Sequence, residues 1–132
     1  MSHSTLPPTV LAVLALALGG CSDDDVFRTD RPILRLTLDE YRIVPQNIVV
    51  KPGRMKFDVR NTGKYATHNL AVQIPEGPDG RPVELGRTET MQPGERGEPI
   101  KVMLLAGREY RLVCTIANHD DLGQYGTIEV QR

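Results

Sequence analysis

From Leu34 onward the chain returns repeatedly to one pattern: apolar residues at every second position, then a turn. Leu34, Leu36 and Leu38 alternate with Arg35, Thr37 and Asp39, and the run is expected to continue through Tyr41 to Val44 until Pro45 stops it. Ile48-Val49-Val50 closes on Lys51-Pro52-Gly53, and Met55, Phe57 and Val59 alternate with charged neighbours before Asn61-Thr62-Gly63 turns the chain. Leu70, Val72 and Ile74, then Ile100, Val102 and Leu104, then Tyr110 and Leu112, then Ile128 and Val130 repeat the theme. Side chains two apart share one face of a strand, so each run buries one face and wets the other. Val83 to Thr90 lacks a clear period and reads as a weak strand or an irregular crossing. Seven to eight short strands with Gly and Pro between them predict an all-β chain folded as a two-sheet β-sandwich. The 12 Gly, 10 Pro and absence of Trp suit that class better than a helical bundle.

The 16 Lys and Arg and 17 Asp and Glu all lie beyond Cys21, and the net charge is −1. With no basic block, nucleic-acid binding is not suggested. The charge-free start holds Val10 to Leu18, nine apolar residues in a row, followed by Leu18-Gly19-Gly20-Cys21. Such a run is too short for a spanning helix, which needs about 18 residues, and suits a secretory signal over residues 1–20. The tetrapeptide resembles the bacterial lipobox, whose Cys takes a diacylglycerol. That resemblance implies lipidation of Cys21, although Met1 to Thr9 lacks the usual Lys or Arg. The alternative is a plain cleaved signal that leaves Cys21 free or removes it. Residues 21–32, polar and acidic, are expected to be a flexible tether, with the folded domain spanning 33–132. A lipid anchor would hold that domain on the periplasmic side of a bacterial membrane, the outer membrane favoured by Ser22.

Beyond the tether stand one Cys and two His: Cys114, His68 and His119. A lone Cys in a secreted chain is a buried inert thiol, half of an intermolecular bridge, or a metal ligand. Cys114 ends an apolar strand run, His119 follows five residues later, and His68 opens another strand. The loops of a sandwich gather at its ends, so the three can meet. One thiolate and two imidazoles with a weak axial fourth donor form the blue-copper electron-transfer set.

Val44-Pro45-Gln46-Asn47-Ile48-Val49-Val50-Lys51-Pro52-Gly53, Asn61-Thr62-Gly63, His68-Asn69-Leu70, and Cys114, His119 and Gly123-Gln124-Tyr125-Gly126 together resemble the cupredoxin family of small blue copper proteins. The resemblance implies a Greek-key sandwich holding one type 1 copper ion through His68, Cys114 and His119. Where most members place Met, this chain has Gln124. The resemblance therefore implies a stellacyanin-like axial amide oxygen and a lowered reduction potential; the alternative is a solvated loop amide. Asn69 takes the place of the Asn that ties the two ligand loops together, and His119 that of the electron port. Asp120 and Asp121 beside it are either a solvated acidic loop or a steering charge for a basic partner.

The implied role is electron transfer by a monomer, without catalysis of its own, to a partner such as a c-type cytochrome or an oxidase or reductase. A copper-delivery lipoprotein, a metal-free interaction module and a zinc site are the competing readings.

Overall fold

The computed structural model describes residue 1 and residues 25–132; the expected signal segment and Cys21 lie outside the described residues. The described residues form ten strands and no helix: β1 (Val26–Thr29), β2 (Ile33–Asp39), β3 (Arg42–Val44), β4 (Asn47–Val50), β5 (Gly53–Asn61), β6 (Ala71–Ile74), β7 (Val83–Arg87), β8 (Ile100–Leu104), β9 (Glu109–Val113) and β10 (Tyr125–Val130). They build two mixed sheets, one in the order β1-β4-β10-β9-β6-β7 and one in the order β3-β2-β5-β8. The all-β two-sheet sandwich follows, with more strands than the seven or eight expected.

The alternation converts directly into the core. Leu34, Leu36 and Leu38 of β2 and Met55, Phe57 and Val59 of β5 point inward, where they join Ile48, Val72, Leu112, Ile128 and Val130. Burying each such side chain stabilises the fold by roughly 1.5–3 kcal/mol relative to leaving it in water. Tyr110 is buried too, and its hydroxyl accepts the Leu105 N–H at 2.9 Å, so its polar end is satisfied.

Two expectations about element limits are corrected, and one that was left open is decided. First, the segment expected to be a tether up to Pro32 contains β1, which pairs in parallel with β4 from Val26↔Asn47 to Thr29↔Val50. Val26 and Phe27 remain exposed, so main-chain bonding to a sheet edge, rather than a buried face, holds this strand. Second, Tyr41 to Val44 does not prolong β2. The chain reverses at Tyr41, whose φ is 57°, and β3 returns antiparallel along β2. Of the two readings left open for Val83 to Thr90, the strand holds: Val83–Arg87 form β7, an edge strand whose Gly86 lies against Ile100, where a Cβ would stand 2.7 Å from the Ile100 side chain.

β2 and β5 run parallel, so Asp39 and Asn61 lie at the same end of the sandwich. The turn after β5 is fixed there, because Thr62 and Gly63 both donate N–H bonds to the Leu38 carbonyl. The β9–β10 connection and the approach to β6 reach this same end, where the candidate ligands collect.

Candidate metal centre

His68 is held by its backbone before its side chain is considered. Its N–H donates to the Met91 carbonyl at 3.1 Å, and the Met91 N–H returns the bond at 2.8 Å. Asn61 braces the approach: its Nδ2 donates to the carbonyls of Met91 and Ala66, and its Oδ1 accepts the Gly63 N–H. The ring is fully buried.

Cys114 and His119 come from one loop with a closed base. The Cys114 N–H donates to the Gln124 carbonyl at 3.1 Å, and Tyr125 resumes pairing with Val113 immediately beyond. Inside the loop, successive turns run from the His119 N–H to the Ile116 carbonyl, from Leu122 to Asn118, and from Gly123 to Asp120. The Gln124 N–H then donates to the His119 carbonyl at 3.0 Å. Ala117 takes a φ of 46°, the left-handed region that a non-glycine residue seldom adopts. The Cys114 side chain is buried, while His119 is only half-buried.

These elements bring the three donors together. His68 Nδ1 stands 3.3 Å from His119 Nδ1, and Cys114 Sγ stands 3.7 Å from His119 Nδ1. One ligand atom from each residue lies within 4.8 Å of the other two. Donors about 2.0–2.3 Å from a common ion stand roughly 3.3–3.7 Å apart at tetrahedral to trigonal angles. The two distances from His119 Nδ1 match donors that share a single transition-metal ion, and a thiolate with two imidazoles is a donor set for copper or zinc.

Burial holds the His68 ring below the ordinary histidine range; the charge of His119 adds to this, while Glu40 and the neighbouring Gln124 side chain oppose it. A neutral imidazole is the form a metal requires.

Gln124 is fully buried beside these groups. Its amide Nε2 donates to the Asp39 carbonyl at 2.8 Å and the Arg42 carbonyl at 3.4 Å, while Oε1 has no hydrogen-bond partner. A buried amide oxygen without a partner is costly unless something else satisfies it. Asn69 joins the two ligand segments: its Oδ1 accepts the Thr115 N–H at 2.8 Å, and its Nδ2 donates to the Thr115 hydroxyl at 2.8 Å. Asp120 forms an ion pair with Arg111 at 3.5 Å, whereas Asp121 is exposed.

Two neighbours of the centre carried no functional signal in the sequence. The Tyr41 ring packs edge-on against both imidazoles, with centroids 5.1 Å from His119 and 6.5 Å from His68. Glu40 lies on the far side of His68, its Oε2 3.7 Å from Nε2. Both sit in the β2–β3 reversal, which has no Gly, Pro or Asn to announce a turn.

No family model matches the chain, and no curated protein does. Solved structures do. The dithionite-reduced auracyanin of the photosynthetic bacterium Roseiflexus castenholzii aligns over 79% of this chain and 100% of its own, with a TM-score of 0.67 and 19% identity. Auracyanin A, a "blue" copper protein of the green thermophilic bacterium Chloroflexus aurantiacus, covers 79% of this chain and 99% of its own, with a TM-score of 0.61 and 12% identity. Rusticyanin from Thiobacillus ferrooxidans covers 83% of this chain and 84% of its own, with a TM-score of 0.60 and 17% identity. At these identities the likeness establishes the fold.

Proposed function

We propose that this chain, a cupredoxin by fold, is a mononuclear blue copper electron carrier whose ion is held by His68, Cys114 and His119, with Gln124 Oε1 as axial donor. The observation that carries the reading is the convergence of Cys114 Sγ and the two Nδ1 atoms at 3.3 and 3.7 Å in a mostly buried pocket. A bound copper supplies one-electron exchange between its two oxidation states. The chain supplies the rest. The buried thiol and the buried His68 ring keep water from the ion, and strands on both sides limit rearrangement when the charge changes. His119, the only one of the three that is not fully buried, gives electrons a short way to the surface. The unpartnered Gln124 oxygen supports axial donation, because coordination would satisfy an otherwise orphaned acceptor.

The carrier acts without catalysis of its own, as a monomer that exchanges electrons with a partner such as a c-type cytochrome or an oxidase or reductase. By the Leu18-Gly19-Gly20-Cys21 match it is lipid-anchored on the periplasmic side of a bacterial membrane. The competing roles of copper delivery and zinc binding use the same ligands and differ in optical and redox behaviour.

The deciding experiment adds Cu(II) to the purified chain. Intense visible absorbance from thiolate-to-copper charge transfer, bleached by reductant and lost in Cys114→Ser, is expected. A colourless complex overturns the carrier reading, and coloured protein that exchanges electrons only slowly with a c-type cytochrome favours delivery.

A further inference from the structure

Glu40 is bound more firmly than a surface carboxylate needs to be. Its Oε1 accepts the backbone N–H groups of Lys64 at 2.6 Å, Tyr65 at 2.7 Å and Ala66 at 3.4 Å. Its Oε2 is left facing the His68 ring, 3.7 Å from Nε2. Nε2 is itself buried and without a hydrogen-bond partner. We propose that Glu40 is a positioning residue for the metal centre: its carboxylate takes the Nε2 proton as hydrogen-bond acceptor, which leaves Nδ1 bare toward the ion.

A neutral imidazole carries its proton on one nitrogen only, and the nitrogen that binds a metal must be the bare one. Nδ1 faces His119 across 3.3 Å, inside the ligand cluster, so the proton belongs on Nε2. A buried N–H left unpaired costs about 1–3 kcal/mol. The Asn61 oxygen nearby already accepts the Gly63 N–H. The Glu40 carboxylate is the acceptor that faces Nε2, with Oε2 3.7 Å away.

Gly63 gives independent support. A Cβ at Gly63 would stand 3.0 Å from Glu40 Oε1, 3.0 Å from Asn61 Oδ1 and 3.2 Å from His68 Nε2. The space between carboxylate and ring is therefore kept clear by the missing side chain. Carboxylates behind ligating histidines fix the tautomer and raise the basicity of the bound nitrogen. A negative charge at this point also favours the more positive oxidation state of the ion. The part of the inference that concerns copper rests on the carrier reading above, whereas the part that concerns the ring does not.

Two measurements test it. Nitrogen NMR of the full chain, metal-free at about pH 8, reads the His68 tautomer, where the ring is neutral. The Nε2–H form is expected in the wild type; the Nδ1–H form would overturn the proposal without any variant. Glu40→Gln then keeps an oxygen for the three amides but turns an NH₂ donor toward Nε2. Conversion to the Nδ1–H tautomer is expected, together with roughly a 10- to 100-fold loss of Cu(II) affinity. Each tenfold by which Cu(II) binding falls more than Cu(I) binding raises the midpoint potential by about 59 mV. An unchanged tautomer and potential in Glu40→Gln would reduce Glu40 to a brace for residues 64–66. Should the chain prove colourless with Cu(II), the carrier reading falls, while the tautomer still decides the role of Glu40.

Discussion

The Asn69 side chain grips Thr115 at both ends of its amide, accepting the backbone N–H at 2.8 Å and donating to the hydroxyl at 2.8 Å. The residue after one imidazole donor is thereby tied to the residue after the thiol. Asn69→Ala leaves the Thr115 N–H unpaired in a part-buried position, and a loss of about 1–3 kcal/mol is expected. Urea titration should show a lower midpoint with an unchanged slope. A changed slope would instead indicate a rearranged chain.

Gln124→Met separates two roles of one side chain. The substitution removes the donor to the Asp39 carbonyl, so some stability is lost whether or not Gln124 binds the ion. Replacing a hard amide oxygen with a thioether also favours Cu(I). The voltammetric midpoint is therefore expected to rise. A midpoint that stays in place or falls would remove Gln124 from the ligand set.

The metal-free chain should lose stability as pH drops. Burial, then the charge of His119, keeps the His68 imidazolium less favourable in the folded than in the unfolded chain. With an unfolded value near 6.5, the unfolded state binds the proton more readily. The contribution of His68 is therefore complete above about pH 6.5 and declines as pH falls below it. Glu40, whose folded value is lowered, adds a dependence of the same sign in the more acidic carboxylate window. Denaturant midpoints taken between about pH 7.5 and pH 5 should fall, and His68→Asn should flatten that trend. Equal slopes in both proteins would contradict the burial argument.

Gly126 explains one glycine of the segment that leaves the ligand loop. A Cβ here would lie 2.5 Å from the Gln46 backbone carbonyl, and backbone cannot swing aside as a long side chain can. Gly126→Ala is expected to cost roughly 1–3 kcal/mol by displacing β10 from β4. Thermal unfolding measures the loss, and slower amide exchange at Thr127, whose N–H donates to the Gln46 carbonyl at 2.9 Å, would argue against displacement.

The sandwich was legible wherever a strand buries one face, because the apolar residues of β2 and β5 then record the inward side. β1 escaped because its side chains stay exposed and only its main chain is recruited. The reversal at Tyr41 escaped because its φ of 57° falls on a residue type that gives no warning. His68, Cys114 and His119 were legible by scarcity, being every Cys and His beyond the tether. Glu40 was not, since carboxylates are abundant and its amide partners lie 24 to 26 residues away.

The bond from Cys114 N–H to the Gln124 carbonyl has a consequence for how such a chain can diversify. It acts as a clasp, and β9 and β10 keep their register outside it. Residues 115–123 lie inside it, so a longer or shorter segment that keeps a histidine donor at the place of His119 can retune the metal without renegotiating the sandwich that carries it.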